Sequence, residues 1–430
     1  MTKTEKIKNT LKETRQRRKS QECKVYTYKI DHSHLTKRKQ NYLSGLFREA
    51  KWLRNHYVAS DDVFKESDKL DKVFVLNKDR QPEERELGNL SSQMKQGILD
   101  GVKHDIKGLS SSKAKGRKVG KLKFKSRVNS INLKQFDNTY KVQKQRFITL
   151  QGFKGKFRVR GLKQIPEGAE FANAKLLRKP SGYYIAITCF MPKVVRKQTG
   201  KETAFDFGIK DNITDISGKR DNWAFEETKR IKRLSRKINK HYKKGQKSSR
   251  NREHRKHLLR LEYEKLSNRK KDVINKFVSN VKTDYDFVGI QDENISEWKS
   301  SRMRGWGRKV HHSVMGGIIS GIKKLPETQM QMIDRWEATT QECPICEMKN
   351  KLGLDERVYT CGQCGFEHER DVASAMTILK KAKAMQVAKG IHAVRMNTMP
   401  VEDSTSTRQT SLFGTQVELM KQEAPCFSMG

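Results

Sequence analysis

No stretch of the 430 residues approaches the roughly 20 consecutive apolar residues of a membrane-spanning helix, so a helical membrane protein is excluded. Met1 to Lys24 is polar, rich in Lys and Arg, and lacks the apolar core of a secretory leader, which points to a cytoplasmic protein. Hydrophobic residues are sparse at 34%, below the usual globular share of about 45–50% but enough for real cores. Acids are scarcer still: 49 Asp and Glu stand against 92 Lys and Arg. The seven cysteines are an odd number, four of them in paired Cys-x-x-Cys spacing, which favours a reducing compartment and a metal site over a disulfide framework. Internal repeats are absent, and the length suggests two to four domains at about 150 residues each.

What is present is positive charge, a formal +43. Such an excess repels itself in a compact fold unless a polyanion lies against it, and in a cytosol the commonest polyanion is nucleic acid. The charge is also concentrated: Lys229 to Lys271 holds 19 Lys or Arg and three acids, Glu253, Glu262 and Glu264. A merely soluble basic protein would not gather its charge this way, and the long, interrupted basic helices do not suit a membrane surface.

Along the chain, Lys24 to Ile30 alternates as a half-buried strand. Leu43, Leu46, Phe47, Ala50, Leu53 and Tyr57 then recur at helical spacing. A second helix is expected from about Leu90 to Ile106, starting near Ser91 or Ser92, followed by a loop from Leu109 to Gly120. Strands return at Arg146–Leu150, Phe157–Val159, Ala174–Leu177 and Tyr183–Phe190, which makes the first part a β module with a helical insertion. After Pro192 the pattern predicts a strand at Thr203–Ile209, then a hairpin through Ile213–Ile216 and Trp223–Phe225. Two basic helices broken near Gly245 follow, then a strand at Asp286–Gln291, a helix through Ile318 and Leu325, a strand at Gln329–Ile333 and a helix over Val372–Ala384. Beyond Gly390 the pattern fades into an expected loose tail.

Cys343-Pro-Ile-Cys346 and Cys361-Gly-Gln-Cys364 each offer two thiolates on one tight turn, and two such turns complete a tetrahedral Zn²⁺ site. An iron–sulfur cluster is the rival, but the compact knuckles with Gly362 and Gly365 favour one structural zinc that staples a small element and does no chemistry. Three acids stand apart from the basic background. Asp206 lies in an apolar strand, where an ionised acid is costly unless paired or holding a metal. Asp371 opens the last helix, and Asp292 or Glu293 ends the strand Phe287–Gln291. Converging, they would hold two Mg²⁺ about 3.5–4 Å apart, the arrangement that serves in-line phosphoryl displacement. Asp371 as a helix N-cap and Glu293 as a solvated strand-end acid are the plainer readings.

These residues resemble the transposon-encoded TnpB proteins and the related compact type V CRISPR effectors over most of the chain. Ala204-Phe-Asp206-Phe-Gly208-Ile-Lys is similar to the family's first RuvC motif. Arg233-Leu-Ser-Arg236-Lys, Ser249-Arg-Asn251-Arg and Lys271-Asp272 resemble the basic segment that follows it, and Lys121-Leu-Lys-Phe-Lys125-Ser-Arg the basic segment ahead of it. The cysteine pairs followed by Arg370-Asp371 resemble the ribbon and third motif. Two departures stand out. The second motif usually places Glu at the end of its apolar strand, where this chain has Gln291, so the resemblance is read two residues later at Glu293-Asn294-Ile295. A bulge or slipped register would carry Glu293 the needed distance of about 7 Å. After Asp371 the family's Asn-Ala-Ala is replaced by Ala373-Ser374-Ala375, with Thr377 beyond.

The resemblance implies an α+β multidomain fold: a β-barrel-like wedge module with a helical insertion, then an RNase H-like (RuvC) α/β nuclease domain interrupted by a zinc ribbon. The expected boundaries are residues 1–33 and 130–195 for the wedge, 34–129 for the insertion, 196–335 for the first two nuclease motifs, 336–366 for the ribbon, 367–392 for the third motif and 393–430 for the tail. It implies an RNA-guided DNA endonuclease, acting in a prokaryotic cytoplasm on the nucleoid, as a monomer or homodimer on one guide RNA. Its partners would be guide RNA and double-stranded target DNA, with no membrane. Asp206, Glu293 and Asp371 would bind two Mg²⁺ and cut one DNA strand at a time, beside a helix near Val310–Ile322. His311 and His312 are read as solvated helix residues and not as bases. Gln291 keeps a rival alive, a guide-dependent repressor with a dead nuclease site. A transposase that joins strands is disfavoured, because nothing beyond the three acids suggests a strand-transfer site.

Overall fold

Thr2 and Glu5 form a capping box that starts α1 (Lys3–Lys19), a helix the sequence pattern did not suggest because it has no apolar face; Ile7 and Leu11 are exposed. The computed structural model describes residues 2–77, 81–194, 196–240, 242, 248–300, 306–353 and 356–390, a mixed α/β chain that divides into two units at residue 195. Gly245 and the tail beyond Gly390 lie outside the described residues. No described helix is long and apolar enough to cross a membrane.

The first unit continues with β1 (Gln21–Lys29), α2 (Lys37–Ala59), the hairpin β2 (Lys72–Leu76) and β3 (Pro82–Glu86), and α3 (Ser92–Ala114). Six strands close it: β4 (Ser130–Leu133), β5 (Tyr140–Gln143), β6 (Phe147–Leu150), β7 (Phe157–Arg158), β8 (Glu170–Lys179) and β9 (Gly182–Pro192). They make one antiparallel sheet in the order β1-β9-β8-β4 and a second in the order β5-β6-β7, joined by a bridge between Ile30 and Val159. One hydrophobic core runs under both sheets and takes in the six apolar residues expected on α2. The helix α3 outruns its expected end near Ile106, because the Ser-rich segment expected as loop from Leu109 stays helical as far as Ala114. The stop is Gly116, at φ 73°, whose N–H bonds Lys113 O.

The second unit is built on a five-stranded sheet in the order β12-β11-β10-β13-β14. Its strands are β10 (Glu202–Asp206), β11 (Ile213–Asp215), β12 (Arg220–Asp221), β13 (Phe287–Gln291) and β14 (Met330–Ile333). The first three pair antiparallel, while β13 runs parallel to both β10 and β14. The expected strand at Trp223–Phe225 is not formed, and β12 closes the hairpin earlier, at Arg220–Asp221. Asp215 Oδ1 accepts from the backbone N–H of Ser217 (2.9 Å) and Lys219 (3.0 Å), which tightens the turn, and the N–H groups of Trp223 and Phe225 are taken by Asn212 Oδ1 and His312 O. Helices α4 (Lys229–Asn239), α5 (Arg250–Asp284), α6 (Ile295–Ser300), α7 (Trp306–His312) and α8 (Met315–Ile322) lie between the strands in sequence. A small hairpin, β15 (Val358–Thr360) and β16 (Glu367–Glu369), then leads into α9 (Arg370–Ala388). Leu325 falls after α8, not within it.

Side chains alternate across this sheet. Phe205, Val288 and Ile290 point into a core with Val281, Ile318 and Ile322 of α5 and α8. Ala204, Phe287 and Ile333 point the other way, onto Ile378 and Ala382 of α9. By the same parity Asp206 and Gln291, at the C-terminal ends of parallel strands, stand on the α9 face. Contact there is close because Gly289 has no side chain: a Cβ at that position would stand 3.0 Å from Ala382 Cβ and 3.3 Å from Ile378 O. Gly289→Ala is expected to lower unfolding stability by about 1–3 kcal/mol, read from denaturant midpoints, and Gly289→Val by more.

Candidate active site and metal centre

The four cysteine sulfurs lie within 4.8 Å of one another, with Cys343 Sγ 3.6 Å from Cys364 Sγ and Cys346 Sγ 3.4 Å from Cys361 Sγ. A tetrahedron of sulfurs with Zn–S near about 2.3 Å has edges of about 3.8 Å, so the group fits the ion. The two knuckles are built alike. Glu347 N–H bonds Cys343 O (3.0 Å) and Gly365 N–H bonds Cys361 O (3.0 Å), with Glu347 at φ 63° and Gly365 at φ 72°. Left-handed backbone at these two places closes each turn, and it accounts for Gly365, while Gly362 has a negative φ and open space around it. Backbone N–H groups of Cys364 and Gln363 point at Cys361 and pull its thiol down to about 6, which favours a metal-binding thiolate.

The Asp206 carboxyl meets the first turns of α9 through Ser374. Asp206 ends β10, and its carboxyl is pushed up to about 7. Burial is the main cause, the charge of Asp371 the next, and Glu293 adds to it, while the Ser374 hydroxyl (3.3 Å) and Arg370 oppose the rise. Asp206 therefore feels both of the other acids named from the sequence. Asp371 is the second residue of α9; the N-cap is Glu369, so the capping reading of Asp371 does not hold. The Arg370 guanidinium lies 3.5 Å from Asp371 Oδ1.

The structure separates Asp292 from Glu293. Asp292 is bound in ion pairs with Lys323 (2.6 Å) and Arg335 (2.9 Å), of which the Lys323 contact does most to hold its carboxyl below the usual range. Glu293 has no hydrogen bond or ion pair to its carboxylate among the described residues, and burial, with the neighbouring Asp292, pushes it up. The strand does not carry Glu293 there by a bulge. It ends at Gln291, and Glu293 N–H turns back onto Gln291 O (3.0 Å) in a three-residue turn. Gln291 is buried, with its side chain held by backbone carbonyls and by Thr339. Ser374 touches Asp206 and was noted from the sequence only as part of the Ala373-Ser374-Ala375 departure, while Thr339, which touches Gln291, was not singled out. His311 is exposed and His312 is bonded to Phe225 O, so neither faces the acids as a base would.

Among the described residues the thiols are the one group of three or more ligand side chains drawn so closely together. The Asp206 carboxyl is desolvated and raised further by the charges of Asp371 and Glu293, which is the electrostatic condition that a bound cation relieves. Purified protein is expected to carry one zinc per chain by elemental analysis. Cys343→Ala or Cys361→Ala should lose the metal and open residues 336–369 to proteolysis. A second expectation concerns acidity. Because Asp206 titrates near 7 in the fold against an ordinary 3.8, the folded chain holds a proton there that the unfolded chain has lost between those values, so stability falls as pH rises through this window. In buffer free of divalent cations, Asp206→Asn should melt at a higher temperature than the natural chain at pH 8, with the gap closing near pH 4.

Two family models match the second half of this arrangement. One described as a probable transposase, OrfB_IS605, covers residues 187–302, and one described as the Cas12f1-like TNB domain covers residues 324–378. No curated protein matches the chain. Among solved structures, a Cas12f1–sgRNA–target DNA complex aligns at 13% identity over 66% of this chain and 70% of its own, with a TM-score of 0.41. CasPhi-2 (Cas12j) bound to crRNA aligns at 10% over 84% and 98%, TM-score 0.41. The mini-RNA-guided endonuclease CRISPR-Cas_phi3 aligns at 12% over 55% and 57%, TM-score 0.30. In order along the chain from residue 187 to residue 378, one region is thus similar to the OrfB_IS605 family and the next to the Cas12f1-like TNB domain.

Proposed function

We propose that the protein is an RNA-guided DNA endonuclease whose second unit is an RNase H-like (RuvC) domain with an inserted zinc ribbon. The observation that carries this reading is that Asp206 is pushed up by both Asp371 and Glu293, two acids far from it and from each other in sequence that act on its carboxyl in an otherwise basic chain. A sheet of three antiparallel strands followed by two parallel ones, with the acids at strand ends and a helix start, supports it. Asp206, Glu293 and Asp371 would hold two Mg²⁺, which polarise the phosphate and stabilise the attacking and leaving oxygens of hydrolysis. The residues themselves set the ligands in place. Asp206 Oδ1 is engaged by Ser374, Glu293 keeps both oxygens free of partners among the described residues, and Asp292 is withheld by Lys323 and Arg335.

The first unit, with the helical insertion, would hold guide RNA and read a short motif beside the target, leaving base pairing to supply the remaining specificity. The basic faces of α4 and α5 provide charge directed at the phosphate backbone. Trp336, 86% exposed on the loop after β14, offers a face on which an unpaired base can stack close to the acids. The competing reading is a guide-dependent repressor, which Gln291 at the usual place of a glutamate favours. A transposase, the activity named in one family description, would need a strand-transfer site that no described cluster beyond these acids supplies.

Protein purified with its own RNA is expected to cut a plasmid carrying the matching sequence when Mg²⁺ is added. Asp206→Ala, Asp371→Ala and Glu293→Ala should each lower the rate by about 10²-fold or more while leaving DNA binding in place, and Asp292→Ala should retain cleavage. Binding without cutting by the natural chain, unchanged in Asp206→Ala, would establish the repressor instead.

A further inference from the structure

Gln291 is 6% exposed, Thr339 4% and Ser374 0%, and their side chains form a continuous chain of contacts to the site. Gln291 Nε2 donates to Glu337 O (2.9 Å), Asp334 O (3.1 Å) and Arg335 O (3.3 Å). Carbonyl oxygens only accept, so the orientation of the amide is settled: its two N–H hydrogens serve three carbonyls and its oxygen faces the other way. That oxygen accepts from Thr339 Oγ1 (3.1 Å). Ser374 Oγ then lies 3.2 Å from Thr339 Oγ1 and 3.3 Å from Asp206 Oδ1. Each hydroxyl has one hydrogen. Thr339 gives its hydrogen to the Gln291 oxygen, which can only accept, and Ser374 divides its own between Thr339 and Asp206.

We propose that Gln291, Thr339 and Ser374 form a buried relay that positions the Asp206 carboxylate for divalent-cation binding, with residue 291 a positioning residue and Glu293 the strand-end ligand. The proposal rests on the two-cation reading of the three acids. It explains why an amide occupies this place. A carboxylate at residue 291 would face three backbone carbonyls with no hydrogen to offer them, in a site closed to water, and the loop of residues 334–337 would lose its anchor. It also accounts for Ser374 within the Ala-Ser-Ala sequence after Asp371: one turn along α9, its hydroxyl is the link between the helix and the strand end. Hydrogen-bonded neighbours of a metal ligand hold its orientation, and their loss commonly weakens the ion.

The test uses the full chain and Mn²⁺ alone as the probe, titrated by electron paramagnetic resonance, with melting temperatures measured alongside. Asp206→Ala identifies the signal that belongs to the acids. Thr339→Val, which keeps shape and removes the hydroxyl, is expected to weaken that binding roughly tenfold, while Thr339→Ser keeps it within about twofold. Gln291→Glu should bind more weakly and melt lower. Thr339→Val with unchanged Mn²⁺ affinity overturns the relay, even if the acids bind the ion. Gln291→Glu with tighter Mn²⁺ binding and an unmoved melting temperature makes residue 291 a ligand position and overturns it as well. A natural chain whose Mn²⁺ titration matches that of Asp206→Ala removes the two-cation reading, and the relay's role with it.

Discussion

The close seating of α9 on the sheet is the constraint on which the second unit depends. Gly289 of β13, flanked by Ala204 of β10 and facing Ala382 of the helix, leaves room for backbone to approach backbone, and Ile378 and Ala382 fill the space with small or branched apolar groups. Because strand side chains alternate, the face that accepts the helix is also the face on which Asp206 and Gln291 point. Because a helix repeats every 3.6 residues, Ser374 lies one turn beyond Asp371 on the first, site-facing end of the same helix. Apolar packing of a few residues thus brings into one place polar groups that are 85 and 168 residues apart in pairs such as Asp206 with Gln291 and Asp206 with Ser374.

Electrostatics then works against the site unless cations arrive. Burial and two neighbouring acids raise Asp206 to about 7, and only Ser374 and Arg370 oppose the rise. The chain around it is the reverse, with +43 of formal charge and long cationic helices. The two halves of this imbalance are complementary in a hydrolytic nucleic-acid enzyme. Under the proposed reading, cations on the surface would gather a polyanion, and the three acids would gather the divalent ions that act on it. Asp292 takes up nearby positive charge by pairing with both Lys323 and Arg335, while Arg335 still opposes the rise at Glu293.

Much of this was legible because it is written in short periodicities. The six apolar positions of α2, the strand at Phe287–Gln291 and the paired cysteines each declare themselves within a few residues, by spacing alone. The failures share a cause as well. The helix α1 has no apolar face and is specified by a capping box, and α3 runs on past Ile106 to stop before a glycine in left-handed backbone. The hairpin closes at Arg220–Asp221 because Asp215 folds the turn onto itself, so the aromatic pair Trp223 and Phe225 misleads. In the site, Asp206, Glu293 and Asp371 were visible as isolated acids, but Thr339 was not. A buried threonine linking Gln291 to Ser374 has no sequence period, and its role exists only once three elements meet.

Residue 291 joins these threads. A family resemblance treats its amide as a lost ligand, and from sequence the loss reads as damage. In the fold the amide is fully employed: it donates to three carbonyls and accepts from one hydroxyl, an assignment that a carboxylate of nearly the same shape cannot meet. Ending the strand at 291 also lets the chain turn back at once, which leaves Glu293 partly buried, without a hydrogen bond or ion pair among the described residues, and close enough to raise Asp206. The change of residue type and the two-residue displacement of the acid are therefore one adjustment. The amide secures the loop and the relay from within the sheet, and the turn it permits delivers a carboxylate that is free to bind.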